Sequence, residues 1–118
     1  MDFKSLSDLL SGGGVAPVEQ VDITGNMNVE EKLNEIVKSM SFGGMVFKRI
    51  RTINLSTADP HLGQKVWFMI GFQHTNANDS GLGYGIQIFF QYTDNYFWIR
   101  RIVQSNTKWV KIDGTPME

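Results

Sequence analysis

Apolar and polar residues alternate along the second half of the chain, from residue 45 onward. A period of two is typical of half-buried β-strands, because successive side chains point to opposite faces of a sheet. The alternation predicts strands at 45–55, 65–73, 84–93, 96–103 and 107–112. The residues predicted to form the core are Val46, Ile53, Val66, Phe68, Ile70, Phe72, Ile86, Ile88, Phe90, Phe97, Ile99 and Trp109.

Short polar segments separate the last three predicted strands. Thr93-Asp94-Asn95 and Ser105-Asn106 contain residues that favour tight turns. Successive strands joined by tight turns form an antiparallel meander. The predicted fold is therefore mainly β, an antiparallel β-sandwich or meander with one N-terminal helix.

That helix is predicted at 28–40, where Asn28 is suited to cap the first turn and Glu31 follows three residues later. An isolated helix of this length is unstable in water, so its apolar stripe must pack against something. The stripe packs either on its own domain or on copies of itself around an axis. The second alternative predicts a homotrimer whose contacts include Val29, Leu33, Ile36, Val37 and Met40.

The residues before this helix predict a short helix at 3–10, followed by a linker at 11–27 that contains three consecutive glycines and Pro17. The short helix either folds back onto the domain or serves as a docking peptide for a larger assembly. The predicted organisation is an N-terminal docking and oligomerisation segment, 1–44, and an antiparallel β domain, 45–118.

Composition and charge narrow the range of functions. The 118 residues (13.4 kDa) are 42% hydrophobic and include no cysteine, which excludes disulfides and thiol catalysis. Residues 1–44 carry seven acidic and three basic side chains, and residues 45–118 carry eight basic and five acidic ones. That basic surplus is too small to indicate nucleic-acid binding. No leader-like segment and no apolar run of about 20 residues is present, so neither a signal peptide nor membrane insertion is predicted.

Spacings that would indicate an active site or a metal site are not found in the sequence. His61 and His74 are the two histidines, and they do not form a ligand motif with neighbouring carboxylates. Asp59, Asp94 and Asp113 stand at turns, where aspartate is common. We therefore expect a protein that is not an enzyme and binds neither a metal nor a cofactor.

The best candidate for a binding surface combines the polar loop 74–83 with the aromatic residues that follow the turn at 93–95. Loops carry recognition because they vary without disturbing the sheet that holds them. Amide and carboxylate groups suit sugar hydroxyls, and aromatic rings can stack on sugars. The predicted receptor-binding residues are His74, Asn76, Asn78, Asp79, Tyr96, Trp98 and Arg100.

The segment GYGIQIFFQYTDNYFWIRRIVQSNTKWVKIDG resembles the closing hairpins of pyocin-knob domains, small β domains of phage tail fibres and bacteriocin fibres. The matching features are a strand of alternating Gln and aromatic residues at 87–92, an aromatic and arginine strand at 97–101, an Asn-bearing turn at 105–106, and Trp109 in the last strand. Pro60-x-x-Gly63 and the strand after it extend the resemblance over 58–114. Lys111-Ile112 stands where such domains commonly have a second Trp.

The resemblance implies a virion structural protein, in a fibre, spike or baseplate, that is commonly a homotrimer and contributes to host attachment. Its partners would be other virion proteins and a cell-surface glycan, and its location would be the virion after synthesis in the host cytoplasm. A stand-alone carbohydrate-binding β domain is the alternative function. A single-strand nucleic-acid binder is a less favoured function than these two, and an enzyme is the least favoured.

Overall fold

One six-stranded sheet and one helix make up the fold in a computed structural model that describes residues 18–40, 43–75 and 81–114. The strands stand in the sheet in their chain order. Their bounds are β1 Gln20–Asp22, β2 Met45–Arg51, β3 Val66–Gln73, β4 Tyr84–Phe90, β5 Tyr96–Val103 and β6 Asn106–Asp113.

Strands β2 to β6 form an antiparallel meander, so the predicted mainly β fold is confirmed. The strand β1 was not predicted, since it lies within the segment assigned to a linker. It pairs with β2 in parallel, from Gln20 beside Arg49 to Asp22 beside Arg51, which makes the sheet mixed. A parallel pair needs a crossover connection, and the helix lies in the chain between these two strands.

The helix α1 spans Val29–Lys38, two residues shorter at its C-terminal end than the sequence predicts. The Asn28 side chain accepts a hydrogen bond of 2.9 Å from the backbone N–H of Glu31, which confirms Asn28 as the N-cap. At the other end the Ser39 hydroxyl donates to the carbonyl of Ile36 at 2.7 Å. The same carbonyl also accepts a hydrogen bond of 3.2 Å from the Ser39 backbone N–H, so Ser39 satisfies a carbonyl of the last helical turn with both groups.

The apolar stripe of α1 packs on the sheet of its own chain. Three of its residues share one core with Trp67, Met69 and Phe89 on neighbouring strands, and Val37 packs in a second buried cluster with Leu82 and Ile102. The prediction that this stripe contacts other subunits is therefore wrong, because side chains that are buried within one chain cannot contact another. The stripe residues so buried are Val29, Leu33, Ile36 and Val37, while Met40 is half-buried beside Gly71.

Most of the residues predicted as core lie on the face opposite to the one that α1 covers, whereas Val46 and Trp109 do pack against the core under α1. Trp67, Met69 and Phe89 lie under the helix, at exposures of 0%, 1% and 0%. The predicted core residues Phe68 and Phe90 are instead 44% and 39% exposed. The strands were placed correctly, but a period of two defines two faces without saying which one is covered.

Residues of α1 and of the sheet pack in the same core, and Val21 of β1 packs against it, so the predicted boundary between residues 44 and 45 divides residues that pack together. The helix predicted at 3–10 lies outside the described residues.

Candidate interaction surface

A polar network lies between α1 and the sheet, at the centre of the covered face. The Arg100 side chain is fully buried there, and its guanidinium lies 2.7 Å from a carboxylate oxygen of Glu30. It also donates to the side-chain oxygen of Gln87 at 2.9 Å and to that of Asn34. The Gln87 amide in turn donates to the backbone carbonyl of Leu33 at 3.1 Å. These bonds fix the position of α1 on the sheet.

Burial lowers the pKa of the Arg100 guanidinium, because removal from water disfavours its charged form. The negative charge of Glu30 acts in the opposite direction and raises that pKa. The Glu30 carboxylate also accepts a hydrogen bond of 2.7 Å from the indole N–H of Trp109. The pair is therefore part of the internal structure of the protein.

The structure removes Arg100 from the predicted receptor-binding set, since a fully buried side chain cannot contact a receptor. His74 lies exposed after β3, and its side chain borders a cleft described below. The other predicted loop residues, Asn76, Asn78 and Asp79, lie outside the described residues.

Tyr96 and Trp98, the two aromatic residues predicted to stack on a sugar, are half-buried in a cluster of rings on the covered face. The Trp98 ring meets His61 edge-on at 5.0 Å and Tyr96 edge-on at 6.3 Å between centroids. The His61 ring in turn stacks on Trp109 at 4.4 Å. The rings thus contact each other rather than forming a flat exposed platform.

The opposite face of the sheet, which we call the open face, is covered by no helix or strand among the described residues. Its middle row crosses all five long strands and is entirely apolar. Cross-strand pairing joins the members of this row in the order Phe47, Ile70, Ile88, Ile99 and Val110.

Apolar side chains also dominate the rows on either side. One row runs from Met45 through Phe72 and Ile86 to Arg101 and Lys108. The other begins at Arg49 and continues through Phe68 and Phe90, with Phe97 paired to Ile112 beyond them. Eight of the eleven exposed large hydrophobic residues of the described chain belong to the open face. They are Met45, Phe47, Phe68, Phe72, Tyr84, Phe90, Val103 and Ile112.

Positive charges stand at two diagonally opposite corners of the open face. At one corner, Arg49 donates to Gln20, and Arg51 lies 3.9 Å from the carboxylate of Asp22. Arg101 and Lys108 stand at the other corner, at the far ends of β5 and β6. The centre of the open face carries no charged side chain.

Among the clefts that border the open face, two lie at opposite ends of its strands. One, of about 490 Å³, lies beside Phe72, His74 and Arg101. The other, of about 510 Å³, lies beside Phe68 and Tyr92. Both are open depressions at the margin of the apolar face and continue its surface.

The arrangement of the open face suits binding by burial of apolar surface. Continuous apolar faces of this kind are unusual on monomeric proteins and are typical of interaction sites. Sequence reasoning missed it because the same residues were assigned to the core. The signal that could have found it is the apolar character of both faces, as in VWFMI and IFF, which is typical of strands covered on two sides.

Among the described residues, no cluster of three or more His, Cys, Asp or Glu side chains is placed to hold a metal ion. Likewise no described helix has the length and apolar character to cross a membrane. Comparison of the chain with protein-family models, with curated proteins and with solved structures finds no match.

Proposed function

We propose that the protein is a non-enzymatic structural component of a phage particle, in a fibre, spike or baseplate, and that it assembles through the open face of its sheet. The observation that carries this proposal is the position of the apolar residues. The face left open by α1 is apolar across five strands, whereas the face under α1 contains Gln73, Gln87 and Arg100.

Physical chemistry supports an assembly role for such a face. Burying apolar surface stabilises an assembly by roughly 25 cal/mol for each Å² removed from water. An open sheet that exposes this much apolar surface is otherwise a liability, because it favours non-specific association. A defined partner that covers the face gains the stabilisation from apolar burial and also prevents non-specific association.

The choice of a phage particle rests on the resemblance of residues 58–114 to pyocin-knob domains. The strands that carry the resemblance are β3 to β6, and they supply most of the open face. In this proposal the same strands that resemble a fibre domain form the contact that builds the particle. Host attachment is a further role of such a component where it meets a cell surface.

The proposal is tested by asking whether the chain is part of a particle. Particles from a producing culture are banded in a density gradient, and the chain is quantified in each fraction by mass spectrometry. We expect the wild-type chain to band with the particles at a fixed copy number. Ile88→Glu, at the centre of the open face, should leave the chain in the soluble fractions.

Met27→Glu is the matched control, because Met27 is 47% exposed and lies before α1, away from the open face. This variant should enter particles as the wild type does. A wild-type chain that stays soluble while the particles band would contradict the proposal. A soluble chain that is retained on purified cell-wall glycan would instead support the carbohydrate-binding alternative.

A further inference from the structure

The open face needs a covering layer, and the structure restricts what that layer can be. We propose that a second copy of this chain covers it, with the two open faces packed against each other as two aligned sheets. This inference deepens the proposed function, since it names the partner of the same surface.

The size of the face fits a pair of copies. Five strands about 4.8 Å apart, each with about seven residues that rise about 3.3 Å, give a face of about 24 by 23 Å. Pairing two such faces buries about 1,100 Å² in total, and a specific protein interface needs about 1,000 Å². The face is therefore large enough to hold two copies together.

The helix predicted at 3–10 is too small to be the covering layer. Even as a continuous helix, residues 3–10 would be about 12 Å long and about 10 Å wide. That is less than a quarter of the open face. Its four apolar side chains, Phe3, Leu6, Leu9 and Leu10, are also fewer than the five of the middle row alone.

The positions of the charges also fit a pair of copies. Aligned sheets pack with their strand directions within about 30° of each other. A two-fold axis in the interface, along or across the strands, then places Arg49 of one copy over Ile112 or Met45 of the other. Arg101 likewise lies over Phe72 or Phe97 of the other copy. Neither arrangement sets like charges against each other, and the long arginine side chains can reach solvent at the rim.

The middle row gives such a pair an apolar centre that excludes water. Ile88 lies on the central strand of the five and in the middle row, so it stands close to the axis of the pair. The rows on either side supply aromatic side chains, including Phe68 and Phe90, whose rings lie 6.1 Å apart. Aromatic side chains of this kind dominate the energetics of interfaces.

The test is the mass of the full-length chain in solution, measured by light scattering during size-exclusion chromatography over a range of concentrations. We expect a mass of two chains for the wild type. Ile88→Glu should reduce the mass to one chain and leave the circular dichroism spectrum unchanged, because position 88 faces away from the core under α1. Met27→Glu should keep the mass of two chains.

Three results would overturn the inference. A wild type with the mass of one chain at high concentration rules out self-pairing. A mass of three chains replaces the pair with the trimer that the resemblance implies. A two-chain mass that survives Ile88→Glu places the contact elsewhere. Because the proposed function is tested on wild-type particles, failure of the pair and failure of that function remain distinguishable.

Discussion

Arg100 and Glu30, seventy positions apart in the sequence, form an ion pair of 2.7 Å that joins the sheet to α1. The arginine side chain is completely buried, and the carboxylate is 40% exposed. The protein places this charged pair within the apolar core beneath its helix, and no described helix or strand covers the second apolar face of its sheet. This second apolar face is the main feature that a function must explain.

Loss of the Arg100 guanidinium should destabilise the fold strongly. Arg100→Met leaves Glu30, Asn34 and Gln87 without their shared donor, and we expect a loss of about 3 kcal/mol in the free energy of unfolding. Urea denaturation followed by circular dichroism measures this loss. Lys32→Met is the control, because its pair with Glu35 is largely exposed and should contribute less than about 1 kcal/mol. Equal effects of the two variants would contradict the role assigned to Arg100.

Two adjacent phenylalanines provide a matched test of the two faces. Phe89 is fully buried under α1, so Phe89→Ala should lower the free energy of unfolding by about 3–5 kcal/mol. Phe90 lies on the open face, so in dilute solution Phe90→Ala should change the free energy of unfolding by less than about 1 kcal/mol. Chemical denaturation of both variants at low concentration measures the difference. A larger effect at Phe90 would show that the open face is covered within one chain.

The sequence predicts the strands well because alternation is a local signal. The predicted strand 96–103 coincides with β5. The Asn28 cap was predicted for the same reason, because it depends only on residues of the first helical turn. The choice of the covered face is not local. It depends on where α1 packs, and α1 is held by Arg100 and Gln87 through partners far away in the chain.

Most of the predicted core was wrong, for a physical reason that concerns both faces of one strand. In β3, Phe68 and Phe72 on one face are as apolar as Trp67 and Met69 on the other. Hydrophobicity alone therefore cannot rank the two faces. The polar residues Gln87 and Arg100 made their own face look like the solvent-exposed one, because polar groups are rarely buried unless they find hydrogen-bond partners. Here they find partners on α1, which sequence spacing does not reveal.

The helix cap offers a smaller and more local prediction. Asn28→Ala removes the acceptor for the Glu31 backbone N–H, and we expect a loss of about 1 kcal/mol. Asn28→Asp keeps an acceptor at the same place and should restore most of the stability. Thermal or urea unfolding of the two variants checks this expectation. An alanine variant as stable as the wild type would mean that the cap does not contribute.

The Lys65 ammonium gives a prediction for alkaline pH. Its hydrogen bond with Asp94, at 2.7 Å, raises the pKa of Lys65 above the ordinary value of 10.5, with partial burial acting in the opposite direction. A raised pKa in the folded state stabilises the protein below the ordinary value, and this contribution is lost as the pH rises through the raised value. Because the lysine side chain is 42% exposed, the contribution is less than about 1 kcal/mol.

Lys65→Met tests this contribution. The difference in unfolding free energy between the wild type and this variant should be constant from pH 7 to pH 9 and should shrink above about pH 10.5. Urea denaturation at each pH provides the measurement. A difference that grows with rising pH would contradict the sign derived from the pKa.

The most direct test of a paired open face is the rate at which a thiol at its centre reacts. The chain has no native cysteine, so Ile88→Cys introduces a single thiol on the open face and Met27→Cys places one on an exposed loop as the control. We predict that labelling at position 88 slows as the protein concentration rises, while labelling at position 27 stays fast. Fast labelling of both thiols at every concentration would contradict the account, and so would protection of position 88 that does not depend on concentration.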